Sequence, residues 1–132
     1  MINNFKGIAL FAGCGGFSLG MKEAGIEVVG MVEIEKAARE IYKANNPTTE
    51  ILGTDITLIT EQEIEQWKVK FGEIDILFGG PPCQGFSLAG KRDENDPRNT
   101  LFLNFAKIAK ILQPKVVVLE NVRVLTSMRF SD

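Results

Sequence analysis

The chain has 132 residues, enough for one domain with a hydrophobic core, and its 45% hydrophobic and 24% charged residues are typical of a globular protein. A net charge of −2 gives no overall basic field that would indicate a nucleic-acid partner, although a basic face can still be local. No apolar run approaches the roughly 20 residues that span a bilayer and MINNFKG is no secretory signal, so a cytoplasmic, nucleoid-associated location is expected. Two cysteines without histidine form neither a disulfide framework nor a zinc site, and no metal is expected.

Five apolar runs predict β-strands, in chain order at residues 6–11, 27–32, 50–52, 74–78 and 115–119. Their hydrophobicity is continuous rather than alternating, which indicates strands covered on both faces, as in a parallel sheet. Helical patterns separate the runs. The sequence therefore predicts an α/β fold, a doubly wound open sheet of right-handed βαβ units in the strand order 3-2-1-4-5, all parallel.

Apolar residues at helical spacing predict the helices between these strands: Phe17, Met21 and Ala24; Ala37, Ala38, Ile41 and Tyr42; Ile64, Trp67 and Phe71; and Phe102, Phe105, Ala106, Ala109 and Leu112. The third helix should begin at a capping box formed by Thr60 and Glu63 and end at Gly72. The fourth should stop before Pro114. Residues 85–100 are polar and aperiodic, and a loop of that length in a compact domain is usually functional or mobile.

Three strand ends carry residues suited to a nucleoside ligand. FAGCGG follows the first strand, and Gly13, Gly15 and Gly16 allow a sharp turn and close approach of a ligand, although a structural tight turn is an equally good interpretation. Glu33 ends the second strand, where a carboxylate can accept hydrogen bonds from ribose hydroxyls. Asp55 and Ile56 follow the third and could hold an adenine, unless Asp55 simply terminates the strand.

Cys83, in GGPPCQGFS, follows two prolines that fix the backbone before it. A free cysteine is often only a small buried hydrophobe, and Cys14 is expected to be that or a small residue that shapes its turn. Without histidine, Cys83 cannot form a protease-like Cys–His pair, but a thiolate favoured by backbone N–H groups could add to an electron-poor carbon.

Glu120 ends the most apolar strand, where a carboxylate is costly unless it has a partner or a function. The predicted strand order brings Cys14, Cys83 and Glu120 to the carboxyl edge of the sheet, where such folds bind ligands. We expect Glu120 to be a buried carboxylate with a raised pKa, able to protonate a heterocycle while a thiolate adds to it.

The segments FAGCGGFSLG, VEIEKAA, TDI, GGPPCQGFS, DPRNTLF and LENV resemble, in order and spacing, the first six motifs of the cytosine-5 DNA methyltransferases. The resemblance runs from about residue 7 to residue 122 and implies an S-adenosylmethionine-dependent methyltransferase of Rossmann-like fold. It implies the cofactor-binding residues Phe11, Gly13, Gly15, Glu33, Asp55, Ile56, Pro81 and Leu101. It also implies that Cys83 adds to C6 of a flipped-out cytosine in double-stranded DNA while Glu120 protonates N3, with Lys91, Arg92 and Arg98 as phosphate contacts or merely solvated side chains.

The resemblance is incomplete in two ways. Ala9 stands where the family has an acidic residue, so a contact near the methionine amino group is expected to be missing. The motifs end with the fifth strand, so residues 1–132 are expected to be an incomplete catalytic domain, without the target recognition domain. Such a fragment would be inactive alone and would need a complementing polypeptide, in a restriction-modification system. A tRNA cytosine-5 methyltransferase and a non-catalytic, partner-binding homologue are the alternatives.

Overall fold

The computed structural model describes residues 4–82 and 100–120. These residues form one sheet of five parallel strands in the order β3-β2-β1-β4-β5, with helices on both faces, so the predicted fold class and strand order are confirmed. The strands are β1 (Phe5–Leu10), β2 (Ile26–Val32), β3 (Glu50–Gly53), β4 (Ile76–Gly79) and β5 (Val116–Leu119), and the helices are α1 (Gly16–Glu23), α2 (Lys36–Asn45), α3 (Glu61–Phe71) and α4 (Thr100–Leu112). A 3-10 helix, Ile56–Leu58, follows β3.

Successive side chains along each strand point to opposite faces of the sheet, so the core is divided between the two faces. Ile8 and Leu10 of β1 pack on the face that α3 and α4 cover, together with Trp67 and Phe105. Ala9, between them in the chain, packs on the opposite face, which α1 and α2 cover. Because both faces bury apolar side chains, the strands lack the polar alternation of a half-exposed sheet, which explains their continuous apolar runs.

The ends of the helices follow the predicted signals. Thr60 Oγ1 accepts from the Glu63 N–H and the Glu63 carboxylate accepts from the Thr60 N–H, which completes the capping box of α3, and that helix is capped by Gly72. Helix α4 ends at Leu112, before Pro114. The predicted apolar stripes were partly wrong, since α2 turns Tyr42 into the core and α4 turns Ile108 inward. The exposed residues of the predicted stripes are Ala24, Ala37, Ile41 and Ala106.

The register of the sheet aligns the ends of all five strands. Leu10 is paired with Val32 on one side and with Gly79 on the other, Val32 with Gly53, and Gly79 with Leu119. The residue that follows each of these leaves the carboxyl edge of the sheet. The register therefore brings five separate chain segments to the carboxyl edge of the sheet. Within residues 4–82 and 100–120, no helix is both long and apolar enough to cross a membrane.

Candidate active site

A small cavity opens at the carboxyl edge of the sheet, beside the ends of β1, β2 and β3. Its volume is about 80 Å³, and it is lined by Phe11, Val32, Glu33, Ile34, Thr54, Asp55, Ile56, Pro82 and Leu101. The structure thus brings together Phe11, Glu33, Asp55, Ile56 and Leu101, all predicted as cofactor-binding residues from separate motifs. The remaining three, Gly13, Gly15 and Pro81, lie outside this lining.

Phe11 leaves β1 with a backbone conformation that is rare for a bulky side chain. Its φ is 52°, in the left-handed region, where a side chain with a Cβ is strained. The chain then returns to β2, where the Ala12 N–H donates to the Val32 carbonyl at 3.0 Å. The half-buried Phe11 side chain packs against the core and forms one wall of the cavity. Strain of this kind is retained mainly where the surrounding structure or a function requires it.

Glu33 joins two turns through its side chain. Its Oε1 accepts from the Gly13 N–H at 2.8 Å and its Oε2 accepts from the Glu35 N–H at 2.7 Å, and the residue is only 9% exposed. Each carboxylate oxygen has two lone-pair directions, so both oxygens can still accept from a ligand hydroxyl. A buried carboxylate held by two backbone N–H groups is well ordered for that purpose.

The two predicted glycines serve different purposes in the first turn. Gly13 has a φ of 58° and open space at its Cβ position, and its N–H binds Glu33. Gly15 has a φ of 105°, and a Cβ there would lie 3.1 Å from the ring of Tyr42. Gly15 is thus favoured both by its backbone conformation and by its close packing against α2. Their contact with a cofactor stays a prediction. Cys14, between them, is exposed, so its interpretation as a buried hydrophobe is wrong and the turn-shaping alternative remains.

Asp55 is held by a single neighbour. Its Oδ1 accepts from the Thr57 hydroxyl at 2.6 Å and from the Thr57 N–H at 2.9 Å. The hydroxyl first, and then the N–H, hold the pKa of the Asp55 carboxyl below its usual range. No hydrogen bond recorded among the described residues uses Oδ2. An ionised carboxylate with one oxygen left to accept suits an amino group such as that of adenine. Ile56 beside it is 5% exposed and adds an apolar wall.

Glu120 lies next to the turn that leads to Cys83. Its N–H donates to the Gly79 carbonyl at 3.0 Å, and a Cβ built on Gly80 would lie 2.6 Å from Glu120 Oε2, so the carboxylate rests against the Gly80 backbone. Glu120 is exposed, and the expectation of a buried carboxylate is wrong. The reason is that it follows β5, the outer strand of the described sheet, whose Val117 is 46% exposed.

Several predicted residues lie outside the described part of the chain. They are Cys83, Lys91, Arg92 and Arg98, with most of the 85–100 loop. Pro81 and Pro82 are described, and they differ: Pro81 is buried, whereas Pro82 is exposed and lines the cavity.

Sequence reasoning missed four residues that line the cavity: Val32, Ile34, Thr54 and Pro82. Each is a chain neighbour of a predicted site residue. The clearest signal was Ile34, an isoleucine placed directly after Glu33 and beyond the strand, which the structure leaves 61% exposed. From the sequence, an isoleucine that follows a strand-ending carboxylate, outside the apolar run, could have been interpreted as a ligand contact.

The cavity's chemistry fits part of S-adenosylmethionine. Apolar walls from Phe11, Ile34 and Ile56 suit the faces of a base, and the carboxylates of Glu33 and Asp55 suit ribose hydroxyls and an amino group. The described residues enclose about 80 Å³, less than the roughly 300 Å³ of a typical small-molecule pocket. They would therefore enclose the nucleoside end only in part.

Comparison with known proteins is in accord with this geometry. The family model of the C-5 cytosine-specific DNA methylases matches residues 5–132. The chain is 44% identical over 122 residues to the Type II methyltransferase M.DdeI of Desulfomicrobium norvegicum, covering 92% of the chain and 29% of that protein. It is 43% identical over 119 residues to the Type II methyltransferase M.HgiGI of Herpetosiphon aurantiacus, covering 89% of the chain and 90% of that protein.

A solved structure shares the fold as well. It is a prophage-encoded protein of E. coli, provisionally described as a DNA modification methyltransferase. It superposes with a TM-score of 0.78 at 36% identity, over 92% of this chain and 33% of its own. The chain thus spans about a third of the length of M.DdeI and of this protein.

Proposed function

Because the chain belongs to the family of C-5 cytosine-specific DNA methylases, we propose that it carries the methyl-transfer site of a DNA (cytosine-5-)-methyltransferase. One observation supports this most: the cavity bounded by Phe11, Glu33 and Asp55 opens at the same sheet edge as Glu120. A cofactor and a base could meet there, since ligands of open α/β sheets bind outside the carboxyl ends of the strands.

In this proposal the cavity binds the nucleoside part of S-adenosylmethionine. Phe11 stacks on the adenine, Glu33 binds the ribose hydroxyls, and Asp55 accepts from the adenine amino group beside Ile56. Pro81 and Leu101 complete the cofactor side, and Gly13 and Gly15 leave space for the amino-acid end. When bound, S-adenosylmethionine supplies an electrophilic methyl group on its sulfonium.

The proposed chemistry on cytosine uses two side chains. The Cys83 thiolate forms a bond to C6 of a cytosine flipped out of the duplex, because C6 is inaccessible within the stack. Glu120 contacts N3 and gives it a proton, which makes C5 nucleophilic towards the methyl group. In this proposal C5 would bond to the methyl carbon as the bond from that carbon to sulfur breaks, with S-adenosylhomocysteine as the leaving group. Loss of the C5 proton to water and return of the N3 proton to Glu120 would then expel the Cys83 thiolate and restore the ring. The exposure of Glu120 leaves its carboxylate open to an incoming base.

The partners belong to the proposal too. Double-stranded DNA is the substrate, with Lys91, Arg92 and Arg98 available for phosphate contacts, in the setting of a restriction-modification system. We propose that a target recognition domain outside residues 1–132, on a second polypeptide, selects the DNA sequence. Without it the chain should transfer little or no methyl group.

The test is methyl transfer by the chain together with a complementing polypeptide that supplies the target recognition domain. Cys83→Ser should abolish transfer of labelled methyl to DNA and leave S-adenosylmethionine binding within about twofold of wild type, because the thiol acts only on the base. Cys14→Ser is the matched control and should keep the activity. DNA containing 5-fluorocytosine should trap a covalent adduct at Cys83.

Four results would contradict the proposal. An active Cys83→Ser variant or an adduct at Cys14 would refute the assigned nucleophile. Methylation of a tRNA transcript but not of duplex DNA would favour a tRNA cytosine-5 methyltransferase. Cofactor and partner binding with no transfer to either nucleic acid would favour a non-catalytic homologue.

A further inference from the structure

Arg39 is tied to the turn that carries Glu33. It lies on α2, and its Nη1 donates to the Glu33 carbonyl at 2.8 Å and to the Ile34 carbonyl at 2.6 Å. The Arg39 N–H also donates to the Glu35 carbonyl at 3.0 Å. One residue therefore holds three consecutive carbonyl groups of the turn between β2 and α2.

Among residues 4–82 and 100–120, the other hydrogen bond that fixes the backbone of this turn runs from the Glu35 N–H to the Glu33 carboxylate. Glu35, the N-cap residue of α2, makes no side-chain capping hydrogen bond, and Ile34 is 61% exposed. The side chain of Glu33 is fixed by the N–H groups of Gly13 and Glu35. Its backbone carbonyl is fixed by Arg39. The carboxylate is thus oriented from both ends, and loss of either anchor would let it shift relative to the cavity.

We propose that Arg39 is a positioning residue for cofactor recognition: it holds the Glu33 backbone so that the carboxylate can accept from both ribose hydroxyls. This inference rests on the proposed function, since it assumes that a nucleoside occupies the cavity. Two hydroxyls must meet two carboxylate oxygens at once, and such paired recognition tolerates errors of only about 0.5 Å. Arg39 itself touches no ligand in this account.

Lys43 provides a matched control on the same helix. Its Nζ also donates to two backbone carbonyls, those of Pro47 at 3.0 Å and Thr49 at 2.6 Å. These carbonyls lie between α2 and β3, and neither residue lines the cavity. Arg39 and Lys43 thus make equivalent contacts, each to two backbone carbonyls, near opposite ends of α2. Only the carbonyls that Arg39 binds belong to residues that line the cavity.

The experiment is calorimetric titration of the full chain and its variants with S-adenosylhomocysteine, and with an analogue that lacks the ribose 2′- and 3′-hydroxyls. Arg39→Ala should raise the Kd for S-adenosylhomocysteine about tenfold, as expected for lost charged hydrogen bonds, and Lys43→Ala should change it less than about twofold. Arg39→Lys should recover to within about threefold of wild type. For the analogue, the wild type and Arg39→Ala should differ by less than about twofold, because the hydroxyls that Glu33 would bind are gone.

Each other outcome has a defined meaning. Equal losses for both ligands, or equal effects of Arg39→Ala and Lys43→Ala, would assign Arg39 a purely structural role and overturn the inference. Failure of the wild type to bind S-adenosylhomocysteine would refute the proposed function and this inference with it. If wild type binds and Arg39→Ala binds as tightly, the inference fails alone. Thermal unfolding of both alanine variants shows whether they are equally folded.

Discussion

The two edges of the sheet are built in different ways. At the amino edge, Asp75 connects β1 to β5: its Oδ2 accepts from the Lys6 N–H at 2.8 Å and its Oδ1 accepts from Lys115 Nζ at 2.6 Å. The backbone of Asp75 connects the same two strands: its N–H donates to the Lys6 carbonyl and its carbonyl accepts from the Val116 N–H, each at 2.9 Å. Charged and backbone hydrogen bonds together fix three strands at one residue.

At the carboxyl edge no described residue joins three strands in this way: the hydrogen bonds there join the strands only in pairs, β1 to β2 through Glu33 and β4 to β5 through the Glu120 N–H. There the chain leaves the strands through a strained Phe11, glycine turns and an exposed Glu120, and a cavity lies beside the ends of β1, β2 and β3. Strained backbone and carboxylate oxygens kept available for a ligand both reduce stability. They persist where the rest of the fold offsets that loss. The comparison teaches that one edge stabilises the sheet and so permits the other edge to remain open for a ligand.

The largest effect should come from Gly79, and its neighbour Gly80 is the control. A Cβ on Gly79 would overlap the Leu10 carbonyl oxygen, a backbone atom that cannot move without breaking the β1–β4 pairing. Gly79→Ala should therefore cost on the order of 3 kcal/mol or more in the free energy of unfolding. A Cβ on Gly80 would instead meet Glu120 Oε2, the end of a flexible side chain, so Gly80→Ala should cost less than about 1 kcal/mol.

Chemical denaturation of the two variants measures the difference. Gly80→Ala should remain folded but displace the Glu120 carboxylate, so methyl transfer by the complemented chain should fall while cofactor binding persists. Equal destabilisation by the two substitutions would show that the Glu120 carboxylate does not rest against Gly80.

Substitution of Phe11 should have an intermediate effect. Two substitutions at this position separate the contribution to cofactor binding from the contribution to stability. Phe11→Ala and Phe11→Gly should each raise the Kd for S-adenosylmethionine about tenfold, because both remove the aromatic wall. Glycine accepts the φ of 52° without strain, so Phe11→Gly should be more stable than Phe11→Ala by about 1 kcal/mol. Calorimetric titration and thermal unfolding give the two quantities. An unchanged Kd would remove Phe11 from the proposed site.

The smallest effect concerns the amino edge and depends on pH. The Lys115 ammonium and then the Lys6 N–H hold the pKa of Asp75 below its usual range. A carboxyl whose folded pKa is lowered stabilises the fold above its unfolded pKa of about 3.9, and this contribution is lost as the pH falls through the folded pKa. Asp75→Asn should thus lower Tm at neutral pH, and the difference from wild type should shrink below about pH 4.

Asp75→Asn should leave S-adenosylmethionine binding unchanged, because Asp75 lies at the edge opposite the cavity. Weakened S-adenosylmethionine binding in a variant that remains folded would mean that the two edges are coupled. The assignment of stability to one edge and of ligand binding to the other would then be wrong.

Sequence alone predicted the parallel sheet and the residues at the strand ends, because these follow from local patterns: apolar runs, helix caps and glycines. It also predicted the strand order, because right-handed βαβ units restrict the orders that such a sheet can adopt. It could not predict the exposure of Glu120, which depends on β5 being the outer described strand rather than on the apolar sequence around it. It also could not predict that Gly13 binds Glu33 or that Arg39 holds the next turn. Those contacts arise from register and side-chain reach, which local patterns do not specify.

The measurement that tests this account most directly is a titration of the 15N-labelled chain with S-adenosylhomocysteine, followed by amide NMR shifts. The account predicts shifts concentrated at Ala12, Gly13, Ile34 and Ile56, around the cavity, with the amides of Lys6, Asp75 and Val116 unchanged. Shifts centred on the amino edge, or no shifts at saturating ligand, would contradict the claim that the carboxyl edge is the cofactor site.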